Sequence, residues 1–145
     1  MRQVHAKWLT AFGALLAFVG LLDATYLTVM HYTGAVPPCV VTSGCHEVLN
    51  SGFAQVGPLP LALVGAVYYL LMVFVLVAYI DRGSRRVLQL ATVFSVGGAL
   101  MSLWLLGVQV FALQAFCAYC LVSAAVCLML APTLLLATRA RSAAV

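Results

Sequence analysis

Long runs of apolar residues dominate the chain, and short polar segments separate them. Four runs reach the roughly 20 apolar residues that a helix needs to cross a bilayer. They are Trp8–His31, Leu59–Ile80, Val87–Leu113 and Phe116–Thr138. The first run is longer than the apolar core of a signal peptide and has no clean cleavage site, so we interpret it as a retained helix. The pattern predicts an all-α membrane protein, a bundle of four transmembrane helices.

The polar segments predict how these helices are connected. The longest, Tyr32–Pro58, has room for structure outside the membrane. Within it, Cys45–Phe53 carries apolar residues at i, i+3 and i+4, which predicts a short amphipathic helix at the interface. Asp81–Ser84 has the composition of a tight turn, so the second and third spans are expected to be antiparallel neighbours.

Composition indicates that lipid is the solvent of this chain. Hydrophobic residues make up 66% and charged residues only 7%, against about 25% charged in soluble domains. The length of 145 residues predicts a single membrane domain over residues 1–145. The net charge of +4 is scattered at the ends of apolar runs, without the basic stripe of a nucleic-acid-binding protein.

The lysines and arginines predict the orientation in the membrane. In a four-span topology they all fall on one side: Arg2, Lys7, Arg82, Arg85, Arg86, Arg139 and Arg141. The positive-inside rule then places both termini in the cytoplasm. The long loop Tyr32–Pro58 and the short turn near Gln114 are expected on the extracytoplasmic side.

Four of the five cysteines form two pairs on that extracytoplasmic side. Cys117 and Cys120 form a Cys-x-x-Cys at the start of the last span, on one face of a helix whose N-terminus would favour thiolate. Cys39 and Cys45 lie in the long loop, with a spacing that allows a disulfide without strain. Such dithiols close reducible disulfides, and outside the cytoplasm they can stay oxidised. The sequence therefore predicts thiol redox chemistry at a membrane surface.

Other interpretations of these cysteines remain open. Cys39 and Cys45 could form a purely structural staple of the loop. The two pairs could instead bind zinc, with His46 beside them, in a cysteine-rich membrane metal-binding or transport protein, although structural zinc sites usually have two short-spaced knuckles. Cys127 lies well inside the last span, and we interpret it as a packing residue.

Asp23 lies roughly two turns inside the first span. An ionisable side chain at that depth is costly and often functional. It could accept or relay a proton when a bound ligand is reduced. It could instead hydrogen-bond a neighbouring helix through Tyr26 or Ser102. The tyrosines Tyr68 and Tyr69 are expected to be interfacial or packing residues.

The cysteine motifs have a defined order along the chain. They comprise Cys39-x5-Cys45, Cys45-His-Glu-Val-Leu-Asn-Ser51, a glycine- and proline-containing segment from Gly57 to Gly65, and the final Cys117-x-x-Cys120. In order and spacing this set resembles the vitamin K epoxide reductase family in its bacterial form. The segment Asp23–Leu27 is similar to the tyrosine-containing end of that family's first helix. The resemblance covers residues 13 to 125.

The resemblance implies an enzyme that oxidises a thioredoxin-fold partner and passes the electrons to a membrane quinone, either ubiquinone or menaquinone. It implies that Cys39 forms the mixed disulfide with the partner, that Cys45 exchanges with Cys117, and that Cys120 lies at the quinone. Ser51 resembles the family's polar residue near the quinone ring. The enzyme would support disulfide-bond formation from the bacterial inner membrane.

Two departures from vertebrate members bear on the substrate. The vertebrate members have a tyrosine four residues after the last cysteine, where this chain has Ala124. They also have an asparagine at the start of the second helix, where this chain has Leu61 and Ala62. An ordinary quinone is therefore expected rather than vitamin K epoxide. Many bacterial relatives carry a fused thioredoxin-like domain that this sequence does not contain, so the partner is expected to be a separate protein.

Overall fold

The computed structural model describes residues 2–39 and 43–143, with side chains described from residue 4 onward. The long helices are α1 (Arg2–Thr33), α3 (Leu61–Arg82), α4 (Arg85–Gly107) and α5 (Ala118–Ser142). Between α1 and α3 lie a short helix α2 (Cys45–Leu49), a 3₁₀ turn (Gly52–Ala54) and two short strands, β1 (Gln55–Val56) and β2 (Leu59–Pro60). A π-helical segment, Val108–Leu113, follows α4 directly.

The predicted all-α membrane bundle is confirmed. Within the described residues, four helices are long and apolar enough to cross a membrane. Many of their large apolar side chains are exposed on the outside of the bundle, among them Leu15, Phe74 and Leu90. Such a surface is unfavourable in water but matches the hydrocarbon core of a bilayer, where apolar side chains lose nothing by facing the solvent.

The bundle is held together by close packing around α1 and α5. Helix α1 packs against both α3 and α5, and α4 packs mainly against α5. A continuous core of buried side chains includes Leu76, Leu130 and Leu134. Gly20 of α1 allows a close approach, because a Cβ at this position would overlap the ring of Tyr69. Small residues at helix contacts are typical of membrane bundles, in which packing replaces the hydrophobic effect between helices.

The connections agree with the sequence in outline and differ in detail. Helix α3 ends at Gly83, whose left-handed φ of 65° and N–H bond to the Tyr79 carbonyl make the predicted tight turn. The predicted amphipathic helix is present but shorter than expected, with Cys45 and Val48 buried. The strands pair as an antiparallel hairpin that the sequence did not predict.

Candidate redox site

The outer cysteine pair is a disulfide between Cys39 and Cys45, with a Cα–Cα separation of 6.1 Å. Cys45 is the first residue of α2 and is fully buried, whereas Cys39 is half-buried. The residue before α2, Gly44, lies against the segment that precedes α5, and a Cβ there would come within 2.7 Å of the Phe116 nitrogen. The absence of a side chain at Gly44 therefore lets the outer pair approach the inner one.

The inner pair comprises the free cysteines Cys117 and Cys120. Cys117 is the N-cap of α5 rather than a helical residue, so the expected placement of both cysteines within one helix is wrong by one position. Its carbonyl accepts the Leu121 N–H at 3.0 Å, as an N-cap carbonyl does. A hydrogen bond from the Cys120 thiol, opposed by burial and assisted by backbone N–H groups, lowers the pKa of Cys117 below its ordinary value.

The two pairs meet in one buried cluster. Cys45 and Cys117 are both buried within it, together with Val48 and Ala115, while Cys39 and Cys120 pack against it. Two segments that are distant in the sequence thus contribute cysteines to one buried cluster. A disulfide and a dithiol packed together are the reactants that thiol–disulfide exchange requires.

Beside this cluster lies a cavity of about 810 Å³. All four long helices, the π-helical segment and the loop around α2 line it, and most of the lining side chains are apolar. Cys120 belongs to both the cysteine cluster and the cavity wall, whereas Cys117 does not line the cavity. The polar residues around it include Asp23, Ser51 and Gln109. An apolar pocket with a few polar groups is the usual form of a small-molecule site.

Comparison of the sequence with known protein families gives a match to the vitamin K epoxide reductase family over residues 11–135. The chain belongs to this family. No curated protein matches it. Membership makes the chain a membrane thiol oxidoreductase of a family that is linked to quinones in general, and the cysteine pairs fit that chemistry. The resemblance inferred from the cysteine motifs is confirmed.

Two residues predicted to bind the cofactor, Asp23 and Ser51, both line the cavity, but their hydrogen bonding differs. Oδ2 of Asp23 is buried and has no hydrogen-bond partner among the described residues. The hydroxyl of Ser51 donates to the Val48 carbonyl at 2.7 Å. A ligand oxygen would therefore compete with that carbonyl for the Ser51 proton, whereas Oδ2 of Asp23 is available to a ligand directly.

Gln109, in the π-helical segment, is a site residue that the sequence analysis missed. Its side-chain Oε1 accepts the backbone N–H of Cys117 at 3.1 Å. Its backbone carbonyl accepts N–H groups of Gln114 and Ala115. This single residue therefore ties the connector before α5 to the end of the third span. A buried glutamine within an apolar run was the signal that could have indicated its role.

Tyr119, between the inner cysteines, was also missed. Its hydroxyl donates to the Pro38 carbonyl at 3.1 Å, next to Cys39 in the chain. Its ring packs against Tyr26 of α1, with ring centroids 5.5 Å apart. Tyr119 therefore connects the first turn of α5 to the irregular segment that precedes the outer disulfide.

Deeper along α5, Cys127 and Tyr69 form a polar contact within the core. The Tyr69 hydroxyl lies 3.1 Å from the Cys127 sulfur and also contacts the hydroxyl and carbonyl of Ser123, at 2.8 and 3.0 Å. Both residues are buried. The packing roles predicted for Cys127 and Tyr69 agree with this arrangement.

The zinc interpretation has no geometric support in the described residues, 2–39 and 43–143. No group of three or more His, Cys, Asp or Glu side chains there is arranged to hold a metal ion. Cys39 and Cys45 are joined to each other, so their sulfurs are not available as thiolate ligands.

Proposed function

We propose that this chain is a quinone-dependent thiol oxidase, which takes electrons from a thioredoxin-fold partner through two cysteine pairs. One observation carries the proposal: the disulfide Cys39–Cys45 and the dithiol Cys117/Cys120 share a buried cluster, and Cys120 also lines an apolar cavity. This arrangement supports a path from the outer pair to the inner pair and on to the cavity. The catalytic residues are the four paired cysteines.

The outer pair would exchange with the partner. A partner thiolate attacks Cys39, which is the less buried residue of the disulfide, and releases Cys45 as a thiolate. The second partner thiol then attacks the mixed disulfide and releases Cys39. The partner gains a disulfide, and the outer pair gains two electrons and becomes a dithiol.

The inner pair, when it is itself a disulfide, would reoxidise the outer pair. The thiolate of Cys45 attacks Cys117, which is buried beside it, and Cys120 leaves. Cys39 then attacks Cys45 in the Cys45–Cys117 bond, and Cys117 leaves. Because a thiol of lowered pKa is a better leaving group, the environment of Cys117 favours this second step. The product has an outer disulfide and an inner dithiol, as in the structure described here.

The cavity fits a quinone headgroup. Its volume lies in the range of about 300–1,000 Å³ found for small-molecule sites. A bound quinone would accept two electrons and two protons as Cys117 and Cys120 close to a disulfide. Asp23 would hold a proton at Oδ2, the buried oxygen without a partner among the described residues, and Ser51 would contact a ligand oxygen by giving up its bond to the Val48 carbonyl. Either ubiquinone or menaquinone suits the proposal.

We place both termini in the cytoplasm and the cysteines on the extracytoplasmic side of a bacterial inner membrane, because all lysines and arginines lie at one end of the four-span topology. A reporter active only in the cytoplasm, fused after Val145, should give a signal. The same reporter inserted after Gly52, in the loop before α3, should give none. The reverse pattern would overturn the orientation and the redox compartment together.

The enzymatic proposal can be tested with purified protein, a reduced thioredoxin-fold oxidoreductase and a short-chain ubiquinone or menaquinone. We expect absorbance changes that report quinone reduction, with the partner becoming oxidised in equal amount. Cys120→Ala should abolish the reaction. Cys127→Ala, which removes a thiol from the core of the same helix, is the matched control and should retain it. Oxidation of the partner without quinone reduction would refute the proposal.

A further inference from the structure

We propose that Gln109 binds one oxygen of the quinone through its side-chain amide N–H group, while its amide oxygen positions Cys117. This inference rests on the proposed function and adds a binding residue to the same site. Gln109 would thereby link the ligand in the cavity to the cysteine that exchanges with the outer pair.

The contact with Cys117 fixes which way the Gln109 amide points. A backbone N–H is only a donor, so the group that faces it must be the carbonyl oxygen of the amide. Oε1 indeed lies 3.1 Å from the Cys117 nitrogen. The NH₂ group is therefore on the other side of the planar amide and cannot exchange places with the oxygen without losing this bond.

The NH₂ group of Gln109 has no acceptor in the described residues, because Gln109 makes only the one side-chain hydrogen bond, through Oε1. Yet the residue is 3% exposed, so bulk water does not hydrate it freely. An amide N–H group without a protein acceptor gains a hydrogen bond when a bound ligand supplies one. Gln109 lines the cavity, and an acceptor bound there would satisfy the group.

Two of the other polar side chains that line the cavity already donate to acceptors within the protein. A quinone carbonyl oxygen is an acceptor and needs a donor. The Ser51 proton is used by the Val48 carbonyl, and the Tyr69 hydroxyl is occupied by Ser123 and Cys127. The Gln109 amide is a donor with no competing acceptor in the described part of the chain, and no change of protonation is needed for it to donate.

The backbone around Gln109 is also unusual. It lies in a π-helical segment that ends at Gln114, a non-glycine residue with a left-handed φ of 48°. π-Helical turns are rare and occur frequently at functional sites, because they place side chains where a regular helix would not. In this segment the backbone carbonyl of Gln109 accepts the Ala115 N–H, and its side-chain Oε1 accepts the Cys117 N–H. Both hydrogen bonds hold the connector before α5.

A matched pair of ligands tests the contact without electron transfer. The protein is first oxidised so that both cysteine pairs are disulfides. Binding of 2,3-dimethyl-1,4-naphthoquinone is then compared with binding of 2,3-dimethylnaphthalene, which has the same ring system and no carbonyl oxygen. We expect Gln109→Met to raise the Kd of the quinone about fivefold, the effect of one lost hydrogen bond. The Kd of the hydrocarbon should stay unchanged.

Two further variants separate ligand binding from anchoring. Gln109→Glu keeps an acceptor for the Cys117 N–H but has no donor once its carboxyl is ionised, so in alkaline buffer it should weaken quinone binding as Gln109→Met does. Gln55→Met changes an exposed glutamine that does not line the cavity and should change neither Kd.

The outcomes distinguish this inference from the proposed function. If the unaltered protein does not bind the quinone, the proposed function fails and this inference fails with it. If the unaltered protein binds the quinone and Gln109→Met leaves its Kd unchanged, only this inference is overturned. Equal weakening of the quinone and the hydrocarbon in Gln109→Met would also overturn it, because that result indicates a collapsed cavity rather than a lost hydrogen bond.

Discussion

The two ends of the helical bundle have different organisation although both are built from apolar helices. At the end around Leu88 and Leu134, which we call the closed end, the large side chains that face the bundle interior are fully buried. At the end around Asp23, Gln109 and Cys120, which we call the cavity end, the helices separate around about 810 Å³ of open space. Hydrophobicity alone therefore does not indicate which part of a membrane bundle is structural and which is functional.

Polar groups show the difference most clearly. At the closed end, Thr92 bonds Thr138 at 2.8 Å and Arg141 donates to the Tyr79 hydroxyl at 3.1 Å. At the cavity end, Asp23 has a buried oxygen with no partner among the described residues. Satisfied polar groups stabilise a fold, whereas an unsatisfied one costs free energy unless a ligand completes it. The closed end therefore stabilises the bundle, whereas the cavity end keeps a polar group that a ligand can pair.

The largest expected effects concern the cysteines of the cavity end. Cys39→Ser should remove electron transfer from the thioredoxin-fold partner, yet the inner pair should still react with a small thiol such as dithiothreitol. Cys120→Ala should stop both reactions. Quinone reduction with each reductant, measured separately, checks this prediction. If the two variants lose both reactions equally, there is no outer and inner pair.

Cys45→Ala should trap a covalent complex between Cys39 and the partner, because the thiol that would reverse the mixed disulfide is missing. Non-reducing electrophoresis detects this complex. Its absence in Cys45→Ala, with a normal complex in Cys39→Ser, would reverse the roles of the two residues.

Asp23→Asn should have the next largest effect if the cavity end supplies a proton. A positioned acid or base contributes roughly a hundredfold or more to a rate, so quinone reduction should slow by about that factor. Exchange between the cysteine pairs and with the partner should stay normal, because the amide is the same size as the carboxyl. Quinone reduction and thiol–disulfide exchange with the partner are measured separately. A nearly silent variant would favour a structural role for Asp23.

The closed end should respond in stability rather than in chemistry. Leu134 is fully buried, so Leu134→Ala should lower the free energy of unfolding in detergent by about 2 kcal/mol or more, from the lost contacts and the cavity left behind. Leu136→Ala is the matched control, since Leu136 is 53% exposed. The quinone Kd of the folded Leu134→Ala protein should be unchanged. A changed Kd would show that the two ends are coupled.

Gly44→Ala should slow exchange between the two cysteine pairs, because the new methyl group would press on the Phe116 backbone and separate the pairs. We expect about a tenfold decrease, as a shift of a few tenths of an ångström disturbs in-line attack of a thiolate on a disulfide. Gly52→Ala is the control, because nothing lies within 4 Å of a Cβ built there. Equal rates in the two variants would contradict the close approach at Gly44.

The smallest expected effect is on the titration of Cys117. Its lowered pKa means that the thiolate forms at a lower pH than in an ordinary cysteine. Alkylation of Cys117 should therefore reach its maximum rate at lower pH than alkylation of a free thiol. Cys120→Ala removes the thiol that donates a hydrogen bond to Cys117, so the pH at which alkylation reaches half its maximum rate should rise. Mass spectrometry of the alkylated peptide provides the measurement, and an unchanged midpoint would exclude the hydrogen bond as its cause.

The sequence by itself determined the membrane spans, the helical class, the two cysteine pairs and the family. These features are local: a span needs only a run of apolar residues, and the cysteine motifs are defined by short spacings. The short helix that begins at Cys45 was also predictable, because its buried residues repeat with the helical period. Its end was not, since Ser51 and the residues after it form a turn and a hairpin.

Only the tertiary structure decided which residues meet. Cys45 and Cys117 lie in different segments, and their place in one buried cluster depends on how α2 packs against the connector before α5. The contact of Gln109 with Cys117 depends on the π-helical segment. Oδ2 of Asp23 is available to a ligand because no described residue of the neighbouring helices forms a hydrogen bond with it. Contacts between distant residues arise from the packing of whole helices, which no periodicity within one segment specifies.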